Sequence, residues 1–469
     1  MKVLHMINAN SPDELCREIC CELENDCLER KCVDCKNRTL PILPYEETEN
    51  CSYKKWVLKT EKYIIKGEEK TTKRNVKDII RCVKAELVAE LNRNMPKYML
   101  HISNMRHQHR KIREIKENLA SGTEALIHID FSENYNCKYN REIQSAHFGG
   151  SKPQISIHTA MWYEKDPQGT IKAYPYCTLS ENLRHDPIAI LAHLKPLIKH
   201  IKVKMPFLKK VHICSDGPST QYRNRSMFYL MATEIPKLLD VEAISWNYFE
   251  SGHGKGAVDG VGGCLKRTAD RLVACQYDLQ NLELMVFHLT KACPGMEIVV
   301  ISSSNISEFD NKIPISGIKT FVGTMKVHQA CWTTTNPDYL ELRRLSCTVC
   351  PESVRCIHYS LGHYEIKQNR PKKVAYSDIY TDSENEEEQM KLKTKSLKGG
   401  KKQRKEDNAK CGICLTLYSK SKNNLEWIQC LNCQKWICGM CNKGSKNAFF
   451  TCAICDDSDD DYALATLLK

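Results

Sequence analysis

The sequence predicts an α/β domain at its centre, and two patterns between Ala125 and Lys266 predict it. First, apolar runs of strand length end in acids: Ala125-Leu-Ile-His-Ile-Asp130, Lys210-Val-His-Ile-Cys-Ser-Asp216 and Ala243-Ile-Ser-Trp-Asn-Tyr-Phe-Glu250. Second, these runs alternate with segments of helical period, which is the pattern of a mixed sheet flanked by helices. Carboxylates at the ends of neighbouring strands are also what a pair of Mg²⁺ ions requires, because hard cations take oxygen ligands.

The elements follow in order. Gln154–Trp162 and Ala173–Thr178 read as strands. Ile188, Leu191, Leu194, Leu197, Ile198 and Ile201 mark an amphipathic helix that Pro196 should kink. A helix is expected from about Arg225 to Leu239, then the Ala243 strand and a helix carrying Asp259. Upstream, residues 75–119 read as two helices separated by Pro96. The first is marked by Val76, Ile79, Ile80, Val83, Leu87 and Leu91. The second is basic, with Arg106, His107, His109, Arg110, Lys111, Arg113 and Lys116. It reads either as a solvated face or as a contact for nucleic acid.

Composition sets the outer limits. A chain of 469 residues should hold several units, and its net charge of +12 favours a polyanionic partner. No window approaches the roughly 18 apolar residues of a membrane span, and the N-terminal residues lack a signal-type apolar stretch. The expected compartment is the nucleus or cytosol, where thiols stay reduced. The 26 cysteines then read as metal ligands, and they cluster accordingly, six between Cys16 and Cys35 and eight between Cys411 and Cys455. Near the N-terminus a zinc site could use Cys20 or Cys21 with Cys27, Cys32 and Cys35. Cys347 and Cys350 could be half of another, with Cys331, Cys356, His328, His358 and His363 nearby in sequence. Asp382–Glu388 and Lys398–Lys405 are charge blocks that cannot bury a core, so a disordered linker is expected, its basic half resembling a nuclear-import signal.

The C-terminal pairs are Cys411/Cys414, Cys430/Cys433, Cys438/Cys441 and Cys452/Cys455. Each pair can grip one side of a tetrahedral Zn²⁺, and the metal must supply the folding energy that so small a segment lacks. This segment resembles a PHD finger of the PHD/RING cross-brace class. The resemblance implies two zinc ions, one on Cys411, Cys414, Cys438 and Cys441, the other on Cys430, Cys433, Cys452 and Cys455. It departs from the PHD pattern at Cys438, where such fingers place His. Trp436 could wall a methyl-lysine cage or simply pack the small core. A histone tail or another protein would be its partner.

The centre resembles the RNase H-like DDE/DDD transposase superfamily, in particular its transposase-derived members. The likeness is carried by Ile129-Asp-Phe-Ser-Glu-Asn-Tyr135, Glu142-Ile-Gln-Ser-Ala-His147, Ser215–Tyr222 and His253–Gly260. It implies Mg²⁺-dependent cleavage or strand transfer on DNA, with Asp130 on the first strand and Asp216 on the fourth bridging two ions. The third acid, on the helix after the fifth strand, would be Asp259, with Glu250 as the alternative. Gly260, Gly262 and Gly263 should weaken that helix, which suggests a close approach of backbone or ligand there. His253 and Lys255 could contact phosphate or be structural. Glu133, Glu142 and Asp270 could be surface groups or support the site.

The chain is thus divided into a Cys-rich segment (1–51), a helical basic region (52–122), an RNase H-like core (123–300) and a Cys/His extension (301–365). A charged linker (366–409), the PHD-like finger (410–457) and an acidic tail (458–469) complete it. Three functions compete: a transposase or its descendant, active or retired; a non-catalytic adaptor; and a RING-like ubiquitin ligase.

Overall fold

The structure is a computed structural model. It describes residues 1–366 apart from Lys2, 66–67, 145–151, 313–317 and 319–320, together with 428–429 and 436–437. The chain divides into two units, the first spanning Met1–Ile366 and the second Lys367–Asp457.

The first unit is built on one nine-stranded mixed sheet. Strands β3 (Glu124–Asn136), β4 (Gln154–Lys165) and β5 (Ile171–Ser180) form an antiparallel meander. On the other side of β3 lie β6 (Lys210–Ser215) and β7 (Ala243–Tyr248), both parallel to it. Next to β7 come β9 (Gln329–Thr333), β10 (Tyr339–Arg343) and β11 (Ser360–Glu365), antiparallel in turn. A short β8 (Glu297–Val300) pairs parallel with β5 at the far edge. The 301–365 extension is therefore part of the central sheet.

Both faces of the sheet are covered, which is why its inner strands read as nearly continuous apolar runs. Ala125, Ile127 and Ile129 of β3 pack with Val211 and Ile213 of β6 against helices α4 (Pro187–Lys204) and α5 (Arg225–Leu239). On the opposite face Leu126 and Cys214 meet Ile112 and Ile115 of α3 (Lys84–Glu117). Further along that face, Ile155, Ile157 and Leu179 receive Leu265 and Ala269 of α6 (Ala257–Ala274) and Met285 of α7 (Leu282–Ala292). A five-residue helix, α8 (Ser303–Ser307), follows β8.

The reading of residues 75–119 as two helices is corrected. Val76, Ile79, Ile80 and Val83 belong to β2 (Glu68–Val83), paired antiparallel with β1 (Asn50–Ile65) in the register Val57↔Val76, Tyr53↔Ile80. A segment this rich in β-branched residues gains more from cross-strand partners than from an isolated helical stripe. The region 52–122 is therefore a long hairpin followed by one helix. Pro96 does not divide α3, although a proline inside a helix costs about 3 kcal/mol. Burial offsets that cost. Met95, Tyr98, Met99 and Ile102 flank the proline and pack against Leu15, Cys16 and Ile19, the latter three from α1 (Pro12–Ile19). Pro196 likewise lies inside α4, which continues to Lys204.

The basic stretch of α3 is largely engaged within the protein. His107 and Gln108 are buried, Arg106 donates to the Leu23 carbonyl, and Arg110 pairs with Glu24. The described part of the second unit is a strand pair, β12 (Ile428–Gln429) and β13 (Trp436–Ile437). No helix among the described residues is long and apolar enough to cross a membrane.

Two substitutions separate the hairpin from the core. Trp246→Ala removes a fully buried indole whose Nε1 donates to Ser215 Oγ (2.9 Å), and should cost about 3–5 kcal/mol in urea unfolding. Ile79→Ala, on a side chain 58% exposed in β2, should cost less than about 1 kcal/mol.

Candidate active site

The ladder between β3 and β6 runs from Glu124↔Lys210 to His128↔Cys214. Continuing that register by two residues sets Asp130, in the middle of β3, opposite Asp216, the residue that follows β6. Strand alternation puts both on the face that holds Leu126 and Cys214, the side covered by α3 and α6. From β7 the chain turns through Gly252, at φ +73°, and enters α6. Asp259 lies in the first turn of that helix and closes it, its Oδ2 accepting from Gly256 N–H at 2.7 Å.

Glycine lets this turn come close. A Cβ on Gly254 would lie 2.6 Å from Asp216 Cβ, and one on Gly256 would lie 2.8 Å from the His128 ring. A Cβ on Gly262 would lie 2.8 Å from Ser132 Oγ of β3. The close approach read from Gly260, Gly262 and Gly263 is thus real at Gly262. Gly260 faces open space, and Gly263 meets only the movable Arg267 side chain.

Electrostatics ties the three aspartates together. Burial pushes the Asp130 carboxyl up to about 8, and the negative charges of Asp216 and Asp259 add to the effect. Asp216 is raised to about 6 by burial, with Arg223 opposing and Asp259 reinforcing. Its Oδ1 is buried without a hydrogen-bond partner. The buried Tyr222 hydroxyl lies near the Phe131 backbone and feels both Asp130 and Asp216. His128, two residues before Asp130 on the same face, is pushed down to about 4 by burial against the opposing pull of Asp259, so its ring is neutral near pH 7.

Hard oxygen donors, mutual repulsion and an orphaned Oδ1 suit a divalent cation. The three carboxylates do not close to within 4.8 Å of one another as the thiol clusters described below do.

Glu250 has other partners. Its Oε1 lies 3.2 Å from His101 Nδ1 and its Oε2 lies 3.0 Å from His328 Nε2. Burial would raise this carboxyl, but the two histidines hold it well below the usual carboxylate range. His253 Nε2 sits 3.0 Å from His101 Nε2, which ties that histidine into the same row. Among the remaining acids, Glu142 pairs with Lys152, Asp270 with Lys138 and Tyr135, and Glu133 is exposed near Lys266. Lys255 is exposed. The row His101–Glu250–His328 was hidden in the sequence because its members come from α3, the end of β7 and the start of β9.

Two further groups could hold a metal ion. In one, Cys21, Cys27, Cys32 and Cys35 bring their sulfurs within 4.8 Å of one another; in the other, Cys347, Cys350, Cys356 and His358 do the same. Of the alternatives left open near the N-terminus, Cys21 belongs to the group, and Cys20 is buried in the apolar cluster with Cys16 and Ile19. His358 completes the second group, whereas Cys331 is buried in β9 and His363 stands on β11. The C-terminal candidates Cys411, Cys414, Cys430, Cys433, Cys438, Cys441, Cys452 and Cys455 lie outside the described residues.

The fold and site define an α/β protein with an acidic group where the parallel pairing of β3 and β6 stops. A family model described as Domain of unknown function (DUF8701) matches residues 108–346, more than half of the chain, and the chain belongs to that family. No curated protein and no solved structure matches it.

The raised carboxyl of Asp130 has a consequence for stability. Its pKa is higher folded than unfolded, so the native state holds the proton more tightly and stability falls as pH rises from about 4 to 8. Asp130→Asn should therefore stabilise the metal-free protein at pH 8, by on the order of 2 kcal/mol, and leave it unchanged at pH 4. Thermal melts at the two pH values read the difference.

Proposed function

We propose that this protein carries out Mg²⁺-dependent phosphodiester cleavage or strand transfer on DNA, as an RNase H-like, transposase-derived protein. The observation that carries the reading is the level placement of Asp130 and Asp216 on adjacent parallel strands, with Asp259 opening the helix that follows β7. This is the arrangement the resemblance calls for, in which the first and fourth core strands are neighbours and the third acid follows the fifth.

Asp130, Asp216 and Asp259 would hold the ions. Bound Mg²⁺ supplies positive charge to the phosphate oxygens and lowers the pKa of an attacking water or 3′-hydroxyl. The chain's own residues prepare the site. Arg223, buried beside Asp216, favours the ionised carboxylate, and its guanidinium donates to the Gly217 and Val327 carbonyls, which fixes it there. Gly254 and Gly256 allow the loop before α6 to lie against Asp216 and His128. His128 stays neutral, so no cation competes for the acids from below.

In the same reading the eight C-terminal cysteines bind two zinc ions in a PHD-type finger that meets a histone tail or another protein, and the protein acts in the nucleus. The adaptor and RING-like ligase readings rest on that finger alone; the acidic centre favours catalysis.

Asp130→Asn and Asp216→Asn should each abolish Mg²⁺-dependent nicking of supercoiled DNA and leave the circular dichroism spectrum unchanged. Nicking that persists in both variants at the wild-type rate would sink the catalytic reading. DNA affinity should drop at least about 10³-fold between 50 and 200 mM salt if six or more phosphates are neutralised. A flat response in filter binding would contradict the polyanion reading.

A further inference from the structure

We propose that the groups Cys21/Cys27/Cys32/Cys35 and Cys347/Cys350/Cys356/His358 each bind one zinc ion, and that the two loaded loops form a single clasp across α3, joining the N-terminal segment to the central sheet.

The donor geometry is that of a tetrahedral ion. Zinc bonds of about 2.3 Å to sulfur and about 2.0 Å to nitrogen place neighbouring ligand atoms about 3.5–3.8 Å apart. Cys21 Sγ lies 3.5 Å from Cys27 Sγ and 3.6 Å from Cys32 Sγ. His358 Nδ1 lies 3.6 Å from Cys347 Sγ and 3.3 Å from Cys350 Sγ. These separations are far beyond the roughly 2.05 Å of a disulfide. Four soft donors in each set favour zinc over magnesium or calcium.

The surroundings of the second group are built for thiolates. Cys350 N–H points to Cys347 Sγ at 3.5 Å, and Tyr359 N–H donates to Cys356 Sγ at 3.3 Å. Arg343 itself is fully buried and donates to the carbonyls of Cys347, Cys350 and Pro351, fixing the loop between β10 and β11 from within. An arginine buried among carbonyls and thiols is well compensated when those thiols are anionic. Around metal sites, such outer bonds orient the ligands.

The two loops meet through residues that lie between or beside their ligands. Asn25, in the short helix α2 (Asn25–Leu28) that carries Cys27, donates to His107 Nδ1 at 3.1 Å. The opposite nitrogen of His107 donates to the Ser346 carbonyl at 2.7 Å, one residue before Cys347. Glu29, between Cys27 and Cys32, receives Arg344 Nη2 at 3.0 Å and is largely buried. Thus α3 is gripped from both sides through one histidine, and a direct ion pair closes the clasp. The zinc sites are independent of the catalytic reading.

Metal content of the purified full-length chain tests the sites. Cys32→Ser and Cys350→Ser should each lose one zinc equivalent relative to wild type, and both together should lose two. Because either variant could fail to fold, the wild-type chain is also reconstituted with Co²⁺. A three-thiolate component of one equivalent is expected from the second group, and a four-thiolate component one equivalent larger than in Cys32→Ser from the first; absence of either increment overturns the corresponding site. The clasp is read separately by hydrogen exchange of residues 21–35. Glu29→Arg should raise exchange there at least about tenfold with zinc content unchanged, and Glu29→Arg with Arg344→Glu should restore protection. Unchanged exchange in Glu29→Arg overturns the clasp even where both zinc ions are found.

Discussion

Two carboxyls buried on neighbouring parallel strands are the constraint on which the centre of the first unit turns. The register of β3 and β6, continued by two residues, sets Asp130 opposite Asp216. Burial then makes the pair costly, as the raised position of both carboxyls reflects. A fold seeking stability alone would place a cation or an apolar residue there. Here the compensation is partial: Arg223 acts on Asp216 and the Phe131 backbone on Asp130, while Asp259 adds negative charge to both. Uncompensated charge of this kind marks a site shaped for something other than folding.

The third carboxylate, exposed on the first turn of α6, adds its negative charge to the buried pair from a helix whose approach is fixed elsewhere. The loop between β7 and α6 is secured at its start by Glu250, which lies between His101 of α3 and His328. His328 Nδ1 in turn donates to the Arg344 carbonyl at 2.7 Å. Glu250 follows the end of β7, and its pairing with the two histidines fixes the backbone that leads to Gly254 and Asp259. Nine residues on, Asp259 instead caps the start of α6 and adds its charge to Asp130 and Asp216.

Much of this was legible in the sequence, for identifiable reasons. Strands buried on both faces announce themselves as apolar runs, and an acid ending such a run stands out. Asp259 followed from its place after the fifth core strand. The hairpin β1–β2 was not legible, because Val76, Ile79, Ile80 and Val83 fit a helical period as well as a strand, and only pairing with β1 decides between them. The choice between Cys20 and Cys21 turned on the end of α1, where Cys20 caps the helix and packs with Cys16 and Ile19 in the buried cluster. The second half of the Cys347/Cys350 group was equally hidden. Cys356 and His358 are brought back by the return of the β10–β11 hairpin, a tertiary event that spacing does not encode.

The span that matches the family model begins at Gln108 and ends at Ser346, and these two residues bond each other. Gln108 Oε1 accepts from Ser346 N–H at 2.8 Å, while its Nε2 donates to Ser346 Oγ and to the Tyr248 carbonyl at the end of β7. The two ends of the span therefore close on a single buried glutamine that also touches the strand leading to Glu250. Both cysteine groups begin outside that closure, one upstream of α3 and the other at the residue after Ser346. Their physical task is then distinct from that of the aspartates. The sheet can assemble its acidic centre from residues within the span, whereas the cysteine loops act on α3 and on the backbone at residues 344–347. Whatever stiffens that backbone bears on His328 through the Arg344 carbonyl, and through His328 on Glu250 and the loop that brings Asp259 to its partners.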